Sequence, residues 1–167
     1  ADLLGCLTAE EYAAYLTELQ ALPDKIEKIL QNRENIQYLA SQHFNAKDVF
    51  FIGRNLDYAM SLEGSLKLKE ISYIHSDAYA AGELKHGTIS LVEDGTLVIA
   101  LATHQNLFDK MMSNVKEVKA RGAVVLGMTT ENNTQIEQVT DHVFYIPQTC
   151  DVMLPSLTVI PLQLFAY

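Results

Sequence analysis

Three charged residues at helical spacing, Glu63, Lys67 and Glu70, are the first candidates for chemistry in this sequence. At positions i, i+4 and i+7 of a helix, they would lie on one face about two turns long. Carboxylates beside an ammonium group suit proton transfer on a sugar or another carbonyl compound. The same spacing also fits a solvated Glu63–Lys67 ion pair on an ordinary surface helix. Spacing alone leaves both interpretations open.

Glu70 is the candidate base of this group. A carboxylate moves protons between neighbouring carbons efficiently only when burial raises its pKa towards neutrality. Leu66 and Ile71 lie close to Glu70 in the sequence, so we expect these apolar side chains to bury it. Lys67, one turn earlier, can polarise an oxygen or hold a phosphate or hydroxyl group.

His86 is a second candidate, because it lies between Lys85 and Gly87 in a loop expected after a short strand. A histidine in such a loop can shuttle protons near pH 7, although many loop histidines have no function. His75 and Asp77 are two residues apart and form only a weak metal-binding pattern. We predict neither a metal nor a cofactor.

Composition narrows the class of protein. The chain has 167 residues, which fit one domain, and 49% of them are apolar, enough to build a core. No apolar run approaches the roughly 20 residues of a membrane-spanning helix, so no membrane partner is expected. The net charge of −9 argues against a nucleic-acid partner, because phosphate backbones attract basic surfaces. A small phosphorylated ligand stays possible, since Lys67, Lys69 and Lys85 can form a local positive pocket.

The cysteines and the chain ends indicate the setting of the protein. Cys6 and Cys150 have no spacing typical of a metal or redox site and favour a reduced, cytoplasmic compartment. The sequence opens without a methionine and without a basic segment, so no signal peptide is expected. It ends at Tyr167, inside an apolar helical pattern. We therefore expect the chain to be a piece of a longer protein.

Short apolar runs alternate with helical patterns and define the elements that must position these residues. Strands are predicted at 48–52, 77–81, 97–102, 123–127 and 143–146. Helices are predicted at 56–73, around 107–118, near Ile136, at 155–167, and as an N-terminal extension over about 8–44 that Pro23 divides in two. This alternation predicts an α/β fold of three layers, with a five-stranded parallel sheet flanked by helices on both faces. We expect residues 1–167 to form a single domain.

One long segment carries a family resemblance. Leu62–Gly87, LEGSLKLKEISYIHSDAYAAGELKHG, together with Gly53-Arg54, resembles the second sugar isomerase (SIS) domain of the glucosamine-6-phosphate synthases. The likeness continues to the final VIPLQLFAY and covers essentially the whole chain. These enzymes are isomerising glutamine–fructose-6-phosphate aminotransferases. The resemblance therefore implies the three-layer α/β/α SIS fold, which is flavodoxin-like.

The resemblance implies an activity and assigns residues to it. The family converts fructose-6-phosphate and ammonia released from glutamine into glucosamine-6-phosphate, and its members pair as homodimers in the cytoplasm. Glu70 matches the glutamate that moves the proton between C1 and C2, and Lys67 matches its companion lysine. His86 matches the histidine assigned to opening the sugar ring, which reaches the active site of the neighbouring subunit. Glu63 matches a glutamate of the same region, which we assign to substrate binding.

The chain also departs from the family pattern. The glutaminase domain, the first SIS domain with its phosphate-binding loop, and the C-terminal lysine that forms a Schiff base do not occur in these 167 residues. Thr88 stands where many members have proline. We therefore predict that this chain alone is catalytically inert. Two alternatives remain: a non-catalytic SIS module that binds a phosphosugar for regulation, and a module that serves only for dimerisation.

Overall fold

Five parallel strands form a single sheet in this computed structural model, which describes residues 4–167. The strands are β1 Asp48–Gly53, β2 His75–Ala80, β3 Leu97–Leu101, β4 Val124–Thr130 and β5 His142–Ile146. Their order across the sheet is β2-β1-β3-β4-β5, and every neighbouring pair is parallel. This is the flavodoxin-like order, so the predicted strands and fold class are confirmed. The expectation of no signal peptide rests partly on residues 1–3, which lie outside the described residues.

Helices cover both faces of the sheet. They are α1 Ala9–Gln31, α2 Arg33–His43, α3 Leu56–Lys67, α4 Phe108–Lys119 and α5 Leu154–Ala166. A π-helix at Leu68–Ser72 continues α3, and 3₁₀ helices lie at Ala81–His86, Thr88–Leu91, Gln105–Leu107 and Thr134–Gln138. Within residues 4–167, no helix has both the length and the apolar character needed to cross a membrane.

Alternate residues of the central strands feed two separate cores. On one face, Phe50 and Ile52 of β1 pack with Met111 of α4 and with Leu84 of the 3₁₀ helix Ala81–His86. On the other face, the core joins β1 to α2, to the π-helix and to α5. Strands buried on both sides are the reason that their sequences are continuously apolar.

Helix α1 continues through Pro23, so the predicted division of the N-terminal extension at this proline is wrong. The break lies at Asn32, between α1 and α2. A proline inside a helix removes one backbone hydrogen bond and its ring crowds the preceding turn, at a cost of about 3 kcal/mol. Here Ile26 and Ile29 pack beside Leu157 of α5, and this tertiary contact keeps the helix continuous.

A buried hydroxyl group near His86 leads to a first stability prediction. Thr88 follows Gly87, whose φ of 139° suits only glycine. The Oγ1 of Thr88 has no hydrogen-bond partner among residues 4–167. Thr88→Val keeps the shape of the side chain and removes this unpaired group. We expect the free energy of unfolding to rise by about 1 kcal/mol in urea titrations.

The matched control is Thr129→Val. The Oγ1 of Thr129 donates to the carbonyl of Ala102 at 2.7 Å and accepts from Nδ2 of Asn133 at 3.1 Å. Removing this paired hydroxyl should lower the free energy of unfolding by about 1 to 3 kcal/mol. A loss of stability in both variants would contradict the account of Thr88.

Candidate active site

Helix α3 sits closely against the sheet and thereby turns its charged face outwards. A Cβ on Gly64 would lie 2.9 Å from Cε1 of Phe51, so only glycine allows this approach. Next to it, Ser65 Oγ and Ser76 Oγ each donate to the other residue's carbonyl, at 3.0 and 2.8 Å, in a buried contact with β2. These contacts leave Glu63 and Lys67 on the outer face.

The π-helix Leu68–Ser72 carries Glu70, whereas the sequence predicts one unbroken helix over 56–73. Leu68 is buried, and Ser72 Oγ donates to the carbonyl of Ala166 at the end of α5. Tyr73 ends the element in the left-handed region, with φ 58° and ψ 21°. The tie to α5 is a physical reason for the wider turn. π-helices are rare and often occur at functional sites.

The three charged side chains meet on this surface, as their spacing predicts. Lys67 Nζ lies 2.7 Å from Oε2 of Glu70 and 3.8 Å from Oε1 of Glu63. The hydrogen bond to Glu70 is the main cause that raises the pKa of Lys67 above its usual 10.5. Lys67 is therefore positively charged at neutral pH and is held against a carboxylate.

The expected burial of Glu70 is wrong for this chain. The Glu70 side chain is 51% exposed, and Leu66 and Ile71 are themselves 43% and 41% exposed. Leu68 occupies the inward face of the same turn and is buried. Leu66 and Ile71 are instead exposed, so they do not cover Glu70. Apolar side chains of α3 and α5, including Leu62 and Leu66, line a shallow groove beside the charged group.

His86 lies far from Glu70. It ends the 3₁₀ helix that follows the carboxyl end of β2, whereas α3 runs back from β1 and brings Glu70 near the amino ends of the strands. The carboxyl and amino ends of a six-residue strand lie about 20 Å apart. Leu84 and Leu68 also belong to cores on opposite faces of the sheet. One copy of the chain therefore does not bring His86 to Glu70.

The remaining sequence candidates do not converge either. His75 Nδ1 lies 2.7 Å from Oδ1 of Asp48 rather than binding Asp77, and residues 4–167 contain no cluster of three or more metal-binding side chains. Lys85 Nζ lies 3.0 Å from Oε1 of Glu117 on α4. Lys67, Lys69 and Lys85 do not form one positive pocket in a single copy of the chain, because Lys85 lies on the opposite face of the sheet.

A buried polar group at the carboxyl ends of β1 and β3 was missed from the sequence. Asp57 is 2% exposed and accepts hydrogen bonds from Thr103 N at 2.8 Å and Thr103 Oγ1 at 2.5 Å. Burial raises its pKa, although the bonds from Thr103 act in the opposite direction. Flavodoxin-like proteins bind ligands at this switch point. Here the N–H and hydroxyl groups of Thr103 donate to the carboxylate of Asp57 in the same chain. In the sequence, Asp57 looks like an ordinary acid of a first helical turn.

The Lys67–Glu70 contact predicts a measurable change in titration. In Glu70→Gln, the hydrogen bond to a charged partner is lost, so the pKa of Lys67 should fall towards 10.5. NMR titration of the lysine ε-carbons in the isolated chain would measure it. An unchanged Lys67 titration in Glu70→Gln would show that the contact does not exist in solution.

Comparison with known proteins supports the fold. Residues 44–167 match the model of the SIS domain family. A glutamine–fructose-6-phosphate aminotransferase (isomerising) from Caldanaerobacter subterraneus subsp. tengcongensis is 59% identical over 98% of this chain. The chain spans only 27% of that relative's length.

Two solved structures extend the comparison. The C-terminal domain of glucosamine-fructose-6-phosphate aminotransferase from Francisella tularensis aligns with 99% of this chain and 47% of its own, at 33% identity and a TM-score of 0.91. The sugar isomerase domain of an RpiR transcription factor from Sphaerobacter thermophilus aligns at a TM-score of 0.72 and 14% identity, over 93% of this chain and 86% of its own. The second likeness shows the fold alone. The chain belongs to the SIS domain family, and its sequence matches the C-terminal part of glutamine–fructose-6-phosphate aminotransferases.

Proposed function

We propose that this chain is the second isomerase domain of a glutamine–fructose-6-phosphate aminotransferase. The full enzyme would convert fructose-6-phosphate and glutamine-derived ammonia into glucosamine-6-phosphate. The observation that carries the proposal is the Lys67–Glu70 pair, 2.7 Å apart on an outward surface, within a sequence 59% identical to an enzyme named for this reaction.

The proposed roles follow from the chemistry of the side chains. Glu70 takes a proton from one carbon of the open-chain sugar and returns it to the next, as a carboxylate base can. Lys67 holds Glu70 in place and offers its remaining N–H donors to a sugar oxygen. Glu63, at the edge of the same group, binds substrate hydroxyls. His86 transfers the proton that opens the sugar ring. None of these steps calls for a metal or a cofactor.

A second copy of the chain is the proposed source of His86 at each site. His86 is 74% exposed and lies about 20 Å from Glu70 along the strands, on the opposite face of the sheet. A homodimer can bring the His86 of one subunit to the Glu70 of the other. Another domain of the same polypeptide would cover Leu62, Leu66 and Ile71, and so exclude water from the proton transfer. The proposed enzyme works in the cytoplasm, without a membrane or nucleic-acid partner.

The isolated chain should be inactive. With fructose-6-phosphate and ammonium ions it should form no detectable glucosamine-6-phosphate, because Glu70 is half exposed and no other domain binds the phosphate. Coupled detection of the amino sugar phosphate measures this, with a full-length aminotransferase as positive control. Turnover by the isolated chain would contradict the prediction. If the full-length protein bound fructose-6-phosphate tightly in calorimetry but did not turn it over, a regulatory SIS module would be favoured instead.

A further inference from the structure

The turn between β1 and α3 is strained in a way that fixes the direction of Arg54. A Cβ on Gly53 would lie 2.4 Å from the carbonyl oxygen of Asp57, so only glycine fits there. Asn55 has φ 55° and ψ −123°, and its side chain does not cap the helix. Such backbone conformations cost about 1 to 3 kcal/mol and persist where the surroundings impose them. Arg54, between these two residues, is directed across the carboxyl edge of the sheet.

The guanidinium group of Arg54 lies over Gly82. Its Nη1 and Nη2 are each 3.2 Å, and its Cζ 3.4 Å, from the place of a Cβ on that glycine. These distances place the end of the guanidinium group beside Gly82, where a side chain would crowd it. Arg54 Nε donates to Oδ1 of Asn114 at 3.1 Å, and Asn114 is buried in α4. Arg54 therefore joins the 3₁₀ helix Ala81–His86 to α4.

The same 3₁₀ helix has two further attachments. Leu84 is 1% exposed in the core beneath α4, and Lys85 Nζ lies 3.0 Å from Oε1 of Glu117. Asn114 Nδ2 also lies 3.4 Å from Oε2 of Glu117, so the arginine and lysine contacts share one polar chain. His86 is the next residue, and its side chain is exposed. The clamp of Arg54, Asn114 and Glu117 thus holds the 3₁₀ helix that ends at His86.

We propose that Arg54 is a positioning residue that acts through His86, and this rests on the proposed function. A planar guanidinium can cover a glycine and donate from Nε at the same time, whereas a lysine ammonium cannot. Arg54→Lys keeps the charge and loses this geometry. The His86 side chain is then held less firmly in one direction, although residue 86 is still a histidine. A displacement of about 1 Å at a catalytic group can lower a rate substantially.

The test is a double-mutant cycle in a full-length aminotransferase that carries this domain, with kcat and KM for fructose-6-phosphate as readouts. We expect His86→Ala to lower kcat about 100-fold and Arg54→Lys about tenfold, with KM changed less than about twofold. The double variant should match His86→Ala alone. Arg121→Lys, at an exposed arginine beyond α4, is the matched control and should leave kcat unchanged.

Two results separate this inference from the proposed function. If Arg54→Lys lowers kcat equally with and without His86, Arg54 does not act through His86, and the inference fails while the role of His86 stands. If His86→Ala leaves kcat intact, both fail. Hydrogen exchange in the isolated chain gives a second readout. Arg54→Lys should speed exchange of the Leu84 and Lys85 amides about tenfold and leave Ile99 in β3 unchanged, and unaltered exchange at Leu84 and Lys85 would also overturn the inference.

Discussion

Replacing Glu70 with glutamine is expected to lower kcat of a full-length aminotransferase carrying this domain by roughly 10²- to 10⁴-fold. Glutamine has the same shape and can still accept a hydrogen bond from Lys67, but it cannot take and return a proton. Glu70 is half exposed, so its replacement should leave the fold intact. KM for fructose-6-phosphate should change little, because the lost interaction belongs to the transition state.

The control for this prediction is an exposed glutamate away from the charged group. Glu93→Gln makes the same chemical change after the 3₁₀ helix Thr88–Leu91 and should leave kcat unchanged. Circular dichroism of both variants checks folding. If Glu70→Gln retained a kcat within about twofold of the unmodified enzyme, another residue would have to be the base.

The largest expected effect on stability comes from Asp57. Asp57→Ala leaves Thr103 N and Thr103 Oγ1 as buried donors without their acceptor. Each such loss costs about 1 to 3 kcal/mol, so we expect the free energy of unfolding at pH 7 to fall by about 3 kcal/mol. Urea titration of the isolated chain measures this. Asp109→Ala, at an exposed acid in the first turn of α4, should lower it by at most about 1 kcal/mol.

The stability contribution of Asp57 should also depend on pH in a defined direction. Burial raises its pKa in the folded chain above 3.8. Folding therefore favours the protonated carboxyl group of Asp57. The resulting stabilisation is fully present below pH 3.8 and is lost as the pH rises through the pKa of Asp57 in the folded chain. The free energy of unfolding of the unmodified chain, relative to non-titrating Asp57→Asn, should decrease from acid to neutral pH. An increase over that range would contradict the raised pKa.

Much of the fold followed from local sequence. Strands β1, β3, β4 and β5 contain short apolar runs, whereas β2 begins with three polar residues, His75-Ser76-Asp77. Thr8 with Glu11 forms the capping box that begins α1. The division at Pro23 was wrongly predicted because the contact that keeps α1 continuous comes from α5, far away in the sequence. The π-helix was equally hidden, since Ser72 bonds to Ala166, 94 residues later. Local propensity cannot report such contacts.

The site likewise contains contacts between residues close in sequence and contacts between residues far apart in sequence. Glu63, Lys67 and Glu70 lie within two turns, so spacing alone brought them together. The bond from Arg54 to Asn114 spans 60 residues, and those from Thr103 to Asp57 span 46. The burial of Glu70 was wrongly predicted because nearness in sequence does not place side chains on the same side of a helix.

The distance between Glu70 and a bound sugar phosphate tests the central claim most directly. In a crystal structure of a full-length aminotransferase carrying this domain with glucosamine-6-phosphate, a Glu70 carboxylate oxygen should lie about 3 to 3.5 Å from C1 or C2 of the sugar. Lys67 should contact the same carboxylate, and His86 should come from the other subunit. A sugar bound with its C1 and C2 well beyond reach of Glu70 would contradict the account.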